Sequence, residues 1–279
     1  MVYEYELENK MMKYLLIGES KGQHADQTTL GDIGNQAPQQ GGNPTIRKIG
    51  EALNLNTLCS AAIKFGKLGD KEKLLEIIRV GEAINDSGAV DIAVRYFFGK
   101  KVIKTAKTGF EKWASEKGFQ SQDLYFLPLP QAANMAYHLW EDYDIGVGVA
   151  KGGLFLAYLF DLFGLDTKIA EAHAHNTEPT FKWIDEVSPE DFHDKRIVVL
   201  ERDVVTGNTA RIVYEELKKY DPKKIDLVLH NNPGSILSEL PEYLHSLYDD
   251  IHYPGKFSCL NIDKVLENLE NRLNRLYSI

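Results

Sequence analysis

Alternation between short apolar runs and amphipathic stretches, which begins near residue 128, is the feature that most limits the fold of this chain. The runs IGVGVA, RIVVLE and IDLVLH are apolar along most of their length instead of alternating with polar residues. Such strands are typical of a sheet covered on both faces, and strands that alternate with helices become parallel neighbours through crossover connections. We therefore predict an α/β fold, with a central parallel sheet of about four or five strands flanked by helices. The expected helices are 131–141, 153–164 and 208–220, and the expected strands are 144–150, 167–172, 196–201 and 225–230.

The N-terminal part of the chain has a different pattern. We expect residues 1–120 to form a mostly helical extension, with a short strand at 11–17 and a long Gly/Gln-rich loop from Gly18 to Asn43. A loop of this length is typically functional or mobile. Helices are expected from Pro44 onward, over 71–84 and over 88–118, and a packed helical cap is favoured over a separate catalytic domain.

The remaining chain divides into a core and a tail. Residues 121–260 hold the alternating pattern and form the expected α/β core. Residues 261–279 form an expected C-terminal helix that packs on this core, because their apolar residues fall on one stripe.

Composition excludes several classes of partner. The net charge of −9 argues against a nucleic-acid-binding surface, which needs a basic excess to displace counterions. The sequence has neither an apolar run of about 18 residues nor a basic secretory leader, so we expect a cytoplasmic protein without a membrane partner. Cys59 and Cys259 lack CxxC spacing, which favours free thiols over a disulfide. The sequence leaves a homo-oligomer open.

The strongest functional signal is the segment from Val198 to Thr209. An apolar strand ends in Glu201 and Asp203, passes a tight turn and opens a helix. Backbone N–H groups from Thr206 through Gly207 and Asn208 to Thr209 would be unpaired donors at a helix N-terminus, a combination that binds phosphate. The two carboxylates would accept from ribose hydroxyls or hold Mg²⁺-bound water. The alternative is a strand that ends in an ordinary polar turn, capped by Asn208 or Thr206.

This segment resembles the phosphoribosyl diphosphate (PRPP) motif of type I phosphoribosyltransferases, in which an acidic pair and two apolar residues precede Thr-Gly-x-Thr. The stretch Asp144 to Leu154 is similar to the first core strand of that family and its diphosphate-binding loop. The resemblance implies that Ala150, Lys151, Gly152 and Gly153 bind diphosphate, with a cis peptide bond before the first glycine. It also implies Mg²⁺ as the cofactor, held through water by Glu201 and Asp203, which would be the catalytic residues.

The family's mobile catalytic loop corresponds to residues between the strands 167–172 and 196–201. Here His173 and His175 form an H-x-H pair, for which contact with solvent or diphosphate is favoured over a metal site. Lys182 is a second candidate for the diphosphate contact. Phe181 and Trp183 are hydrophobic anchors or functional groups.

The purine-salvage, hypoxanthine-guanine branch is the nearest part of that family. It stacks the base on an aromatic residue that follows a proline, a position held here by Phe257. A loop aromatic that packs on the core is the alternative. The chain departs from this branch at Arg202, which separates the acids, and at Val205, where the branch has an acid. It departs again at 231–233, where Asn-Asn-Pro replaces a lysine that reads the base.

The resemblance implies transfer of the 5-phosphoribosyl group from PRPP to a nitrogenous, purine-like base, with release of diphosphate. The expected partners are therefore small-molecule substrates. One alternative is a regulatory protein that senses PRPP or a nucleotide without turnover, which Arg202 and Val205 favour. Another is that the helical extension acts on a macromolecule while the core only senses the ligand.

Overall fold

The computed structural model describes residues 58–174, 179–231 and 240–277. Contacts divide the chain into two compact units, Met1–Gly99 with Cys259–Ile262 and Lys100–Ser258 with Asp263–Ile279. The predictions for 11–17, for the loop from Gly18 and for the helix from Pro44 lie outside the described residues. The division of the chain at residues 120 and 260 stays a prediction.

The smaller unit is helical in its described part. Helix α1 covers 58–68 of the described residues, α2 is Lys71–Ala83, and α3 starts at Ser87. The carboxylate of Asp70 caps α2 by accepting from the N–H of Lys73 at 3.1 Å. Leu74, Ile77 and Ile78 are buried, as the apolar spacing of this helix predicts. Cys59 and Cys259 are not joined by a disulfide bond.

Helix α3, Ser87–Glu116, is interrupted at Gly99, whose φ of 71° is not helical. The sequence left open whether 88–118 contains one helix or two. The interruption gives two helical segments, and the boundary between the two contact units falls directly after Gly99.

A six-stranded sheet forms the centre of the larger unit. Its strands are β1 Ile145–Ala150, β2 Thr167–His173, β3 Thr180–Trp183, β4 Arg196–Glu201, β5 Lys224–Leu229 and β6 Ile251–His252. They lie in the order β3-β2-β1-β4-β5-β6, and neighbouring strands are parallel except for β2 and β3, which are antiparallel. The predicted α/β class and its four expected strands are confirmed.

Two strands of the sheet were not predicted. Residues of β3 were assigned to a loop, and β3 pairs with β2 as an antiparallel edge strand. The connection 174–179 is too short for a parallel crossover, which needs about a dozen residues. The predicted parallel sheet therefore carries one antiparallel strand, at the edge where the sequence predicted a loop. Strand β6 has two residues, too few to leave a pattern in the sequence.

Helices cover the sheet because their apolar faces need partners. Every residue of β1 is buried, and in the following helix only Asp161 is not. The helices are α4 Leu129–Leu139, α5 Leu154–Phe163, α6 Asn208–Lys218 and the short α7 Leu244–Leu247.

All of the C-terminal helix α8, Ile262–Tyr277, except its first residue belongs to the same unit as the sheet, and Arg272 contacts other residues of that unit. The guanidinium of this arginine donates to the carbonyl oxygen of Leu162 at 3.0 Å. Its central carbon lies 5.1 Å from the ring centre of Trp140 and 5.3 Å from that of Phe163. In the described ranges, no helix has the length and apolar character needed to cross a membrane.

Candidate functional site

The carboxyl ends of β1 and β4 lie side by side, because these strands pair in parallel with Gly148 opposite Leu200. In open α/β sheets, ligands bind beyond this edge. The loop predicted to bind diphosphate follows β1, and the predicted acids follow β4. The sheet therefore brings these two predicted groups together.

Glycine is required at two positions of the loop by close packing against β4. The N–H of Gly153 donates to the carbonyl oxygen of Val149 at 2.7 Å, and Gly153 directly precedes the first residue of α5. A Cβ at Gly153 would collide with the carbonyl oxygen of Leu200, and a Cβ at Gly152 would collide with the carboxyl group of Glu201. The loop backbone thus lies directly on the end of β4.

The peptide bond between Ala150 and Lys151 is cis. The resemblance implies a cis bond directly before the first glycine, Gly152, and the cis bond lies one position earlier. Ala150 is buried, Gly152 is half-buried and the side chain of Lys151 is exposed.

Glu201 is half-buried, and its Oε1 accepts a hydrogen bond of 2.8 Å from the N–H of Arg202. Burial raises the pKa of Glu201 to about 8, although the N–H of Arg202 acts in the opposite direction. The nearby carboxylate of Asp203 raises this pKa further. The ionised form of Glu201 is therefore stabilised by any cation that reaches it.

Asp203 is paired with the arginine that precedes it. Its Oδ2 accepts from Nε of Arg202 at 3.0 Å and from Nδ2 of Asn231 at 3.4 Å. The guanidinium carbon of Arg202 lies 4.6 Å from the ring centre of Tyr125. Arg202 is thus held by an ion pair and by a cation–π contact.

Backbone hydrogen bonds fix this cluster to the sheet. The N–H of His230 donates to the carbonyl oxygen of Glu201 at 3.1 Å, and that of Asn231 donates to the carbonyl oxygen of Arg202 at 2.9 Å. The pairing between β4 and the chain after β5 therefore continues past the strand ends. Asn232 and Pro233, the other expected departures from the purine branch, lie outside the described residues.

The turn from Thr206 to Thr209 opens α6 as predicted. Gly207 precedes the helix with φ of 75°, a left-handed conformation that favours glycine, and it supplies no side-chain cap. The N–H of Asn208 lies 3.5 Å from Oγ1 of Thr206. Thr206 is exposed, while Asn208 and Thr209 are half-buried. Since the first N–H groups of a helix have no partner within it, this turn offers donors to an anion.

Tyr243 lies on the same turn. Its hydroxyl donates to the carbonyl oxygen of Thr206 at 2.8 Å, and a Cβ at Gly207 would collide with that hydroxyl. Positive φ and close approach therefore both require glycine at 207.

Phe257 is half-buried and packs between two histidines. Its ring centre lies 6.2 Å from that of His138, nearly parallel at 18°, and 6.1 Å from that of His252 at 48°. Burial lowers the pKa of His138, which favours its neutral ring. The geometry is compatible both with a base platform and with simple packing.

The segment expected to be a mobile catalytic loop is partly a strand. Lys182 lies in β3 opposite Glu171, and His173 ends β2 with its Nε2 at 3.1 Å from Oε1 of that glutamate. Trp183 stacks on Phe192, with ring centres 5.1 Å apart. His175 lies outside the described residues.

The donor set fits the Mg²⁺ ion that the resemblance implies. Glu201 and Asp203 each use one carboxyl oxygen in hydrogen bonds to described residues, which leaves the other for a metal-bound water. Mg²⁺ sites of this kind combine one or two carboxylates with waters and substrate phosphates. The described ranges contain no cluster of three or more His, Cys, Asp or Glu side chains suited to a metal.

Three contacts of the site region were missed from the sequence: Tyr125 against Arg202, Tyr243 against Thr206, and His138 against Phe257. Each joins residues from separate elements, and Tyr125, Tyr243 and His138 belong to no motif. A weak signal exists only for Tyr125, which precedes the Leu-Pro-Leu-Pro segment where the α/β pattern begins.

Comparisons with known proteins give partial structural similarities at low sequence identity. No family model and no curated protein matches the chain. A purine phosphoribosyltransferase from Pyrococcus horikoshii is 23% identical, with 47% of this chain and 87% of that chain covered and a TM-score of 0.33. A hypoxanthine-guanine phosphoribosyltransferase from Bacillus anthracis is 14% identical, with 44% and 74% covered and a TM-score of 0.33. An orotate phosphoribosyltransferase from Francisella tularensis is 14% identical, with 52% and 77% covered and a TM-score of 0.32.

Proposed function

We propose that the chain is a Mg²⁺-dependent phosphoribosyltransferase, which transfers the 5-phosphoribosyl group of PRPP to a purine-like base and releases diphosphate. The observation that carries this proposal is the close packing of Gly152 against the carboxyl group of Glu201. It joins the glycine loop after β1 to the acid that ends β4. A short turn then connects this acid to the N-terminus of α6 at Asn208. The three groups proposed to bind the ligand therefore follow strand ends at one edge of the sheet, which supports the proposal.

The parts of this site match the parts of the ligand. The N–H donors from Thr206 to Thr209 would bind the 5′-phosphate, as helix N-termini do. Backbone N–H groups of the loop between Ala150 and Gly153, with the charge of Lys151, would bind the diphosphate, while the N–H of Gly153 holds the loop by donating to Val149. Glu201 and Asp203 would accept from the ribose hydroxyls and hold metal-bound water.

The reaction breaks the bond between the anomeric carbon and the diphosphate oxygen and forms a bond from that carbon to a nitrogen of the base, which gives up a proton. Positive charge develops at the anomeric carbon as the diphosphate leaves. The chain contributes by positioning the two reactants and by stabilising the leaving group. A bound Mg²⁺ would supply further charge neutralisation to the diphosphate.

Phe257 is the proposed platform for the base, because it lies in the loop after β6 with two histidine rings beside it. Asn231 offers both a donor and an acceptor, so it does not select for a carbonyl group as a lysine would. We therefore propose a purine-like acceptor without a strong preference for a 6-oxo group.

Diphosphate release from PRPP, measured with Mg²⁺ across a panel of purine and pyrimidine bases, tests the proposal. We expect release that depends on a purine, and a loss of PRPP affinity of more than about tenfold in Glu201→Gln and Asp203→Asn. Asp263→Asn is the matched control, because Asp263 is an exposed acid in the first turn of α8. Normal PRPP affinity in both site variants would mean that Glu201 and Asp203 do not bind the ligand and are only solvated acids.

A second function, PRPP or nucleotide sensing without turnover, is favoured by Val205. Its side chain is 60% exposed at the position where the purine branch has an acid. In that case the wild-type protein binds PRPP, but no base in the panel causes diphosphate release.

A further inference from the structure

At the proposed site, the side chain of Arg202 has N–H donors that make no hydrogen bond within the described part of the chain. A guanidinium has five N–H donors, and in the described part of the chain the side chain of Arg202 uses only Nε, which bonds Asp203 at 3.0 Å. The side chain is 33% exposed, so a ligand can reach its terminal nitrogens.

The position of Arg202 puts this cation beside the proposed diphosphate loop. A Cβ built on Gly152 would lie 3.1 Å from the Cβ of Arg202, so loop and side chain start as neighbours. The backbone of Arg202 is fixed to the sheet by the N–H of Asn231 at 2.9 Å. The aromatic ring of Tyr125 supports the guanidinium at 4.6 Å.

We propose that Arg202 is a diphosphate-binding residue, held ready by Asp203 and positioned by Tyr125. Guanidinium groups bind phosphate oxygens through paired N–H donors, which a lysine ammonium does not reproduce. This inference rests on the proposed function, since it assigns a residue to the leaving group of the same reaction. It also assigns a cation to a place where the family commonly has an acid.

The competing view is that Arg202 only neutralises Asp203. The two views differ in what Arg202→Gln does once Asp203 is uncharged. If Arg202 binds diphosphate, Asp203→Asn frees the guanidinium and raises the affinity for metal-free diphosphate, and adding Arg202→Gln to that variant lowers it again. If Arg202 only neutralises the acid, adding Arg202→Gln to Asp203→Asn leaves the affinity unchanged, because no charge at residue 203 remains to repel the ligand.

Calorimetric titration with inorganic diphosphate, in the presence of a chelator, tests the proposal. We expect Arg202→Gln to weaken diphosphate binding at least tenfold, about 1.4 kcal/mol, and to leave ribose 5-phosphate binding within about twofold. Arg202→Lys should fall between wild type and Arg202→Gln, because it keeps the charge and loses the fork. Tyr125→Leu should weaken diphosphate binding about threefold, and Tyr125→Phe should not.

Arg95→Gln is the matched control, because Nε of Arg95 also bonds an aspartate, Asp91, at 3.1 Å on an exposed helix face. Unchanged diphosphate affinity in Arg202→Gln, or an equal loss of both probes, overturns the assignment of Arg202. If Arg202→Gln does not fold, two other variants decide. Wild-type affinity for diphosphate in both Arg202→Lys and Asp203→Asn overturns the assignment of Arg202. If the wild-type protein binds neither probe, even with Mg²⁺, the proposed function fails together with this inference.

Discussion

The hydroxyl of Tyr243 donates a hydrogen bond of 2.8 Å to the carbonyl oxygen of Thr206, across 37 positions of the chain. This bond fixes the peptide group that starts the turn before α6. Because the next N–H groups of that turn are the proposed phosphate donors, Tyr243 is placed to hold them in their orientation.

Replacement of Tyr243 by phenylalanine should weaken the binding of ribose 5-phosphate by about threefold to tenfold, since one hydrogen bond is worth about 1 kcal/mol. Titration calorimetry measures the change, and diphosphate binding should not follow it. Tyr96→Phe is a suitable control, because Tyr96 is 38% exposed and Tyr243 is 37% exposed. Equal affinities in wild type and Tyr243→Phe would remove Tyr243 from the site.

Replacement of Gly207 by alanine should destabilise the protein through two separate effects. The φ of 75° is strained for alanine, and the new Cβ would collide with the hydroxyl of Tyr243. Strain at positive φ alone costs about 1–2 kcal/mol. Gly118 has φ of 87° with nothing within 4 Å of an added Cβ, so Gly118→Ala measures that strain by itself.

Urea unfolding of the two glycine variants should therefore show a larger loss for Gly207→Ala. Ribose 5-phosphate binding should fall in this variant and stay normal in Gly118→Ala. Equal losses of stability would mean that the turn moves away from Tyr243 without penalty.

Replacement of Phe257 by alanine should lower the affinity for the purine base by about 1–3 kcal/mol, the range for stacking of a base on an aromatic side chain. PRPP affinity should hold, because the described contacts of the Phe257 ring are with His138 and His252 and not with the acids. The two affinities are measured separately by titration. A parallel fall of both would identify Phe257 as a core residue.

Low pH should destabilise the fold, because it protonates Asp226, a buried carboxylate in β5. Burial alone would raise its pKa, but hydrogen bonds from His252, Lys224 and Tyr143 lower the pKa of Asp226 to about 2. The pKa of an aspartate in an unfolded chain is about 3.9. The stabilisation is therefore present above about pH 4 and is lost as the pH falls toward 2.

Asp226→Asn should lower the free energy of unfolding by about 2–3 kcal/mol at pH 6, because charged hydrogen bonds are lost. Urea unfolding at several pH values should show this difference shrinking below about pH 4. Asp263→Asn, an exposed control, should change stability by less than about 0.5 kcal/mol at every pH. A difference for Asp226→Asn that does not vary with pH contradicts the role of its charge.

The sequence predicts the parts of this fold that are determined locally. Strand β4 is found at 196–201 as expected, because its apolar run needs a sheet covered on both faces. Helix α6 starts at Asn208, directly after Gly207, a residue whose place between a strand and a helix indicates a turn. The approach of the β1 loop to the acids follows from parallel pairing of two neighbouring strands.

Long-range contacts could not be predicted in the same way. Strand β3 has no apolar run of its own, and it exists as a strand through antiparallel pairing with β2. The contact of Tyr125 with Arg202 and that of Tyr243 with Thr206 depend on where loops meet. The periodicity and motif spacing of the sequence do not indicate which loops contact each other.

The packing of Gly152 against Glu201 makes these positions genetically interdependent. A methyl group at 152 collides with the carboxyl group of the glutamate, the far end of a side chain that a shorter acid would withdraw. In a selection for function, Gly152→Ala should therefore be rescued by Glu201→Asp more often than by changes elsewhere in the chain. The two positions are therefore expected to vary together, because the side chain tolerated at one depends on the residue at the other.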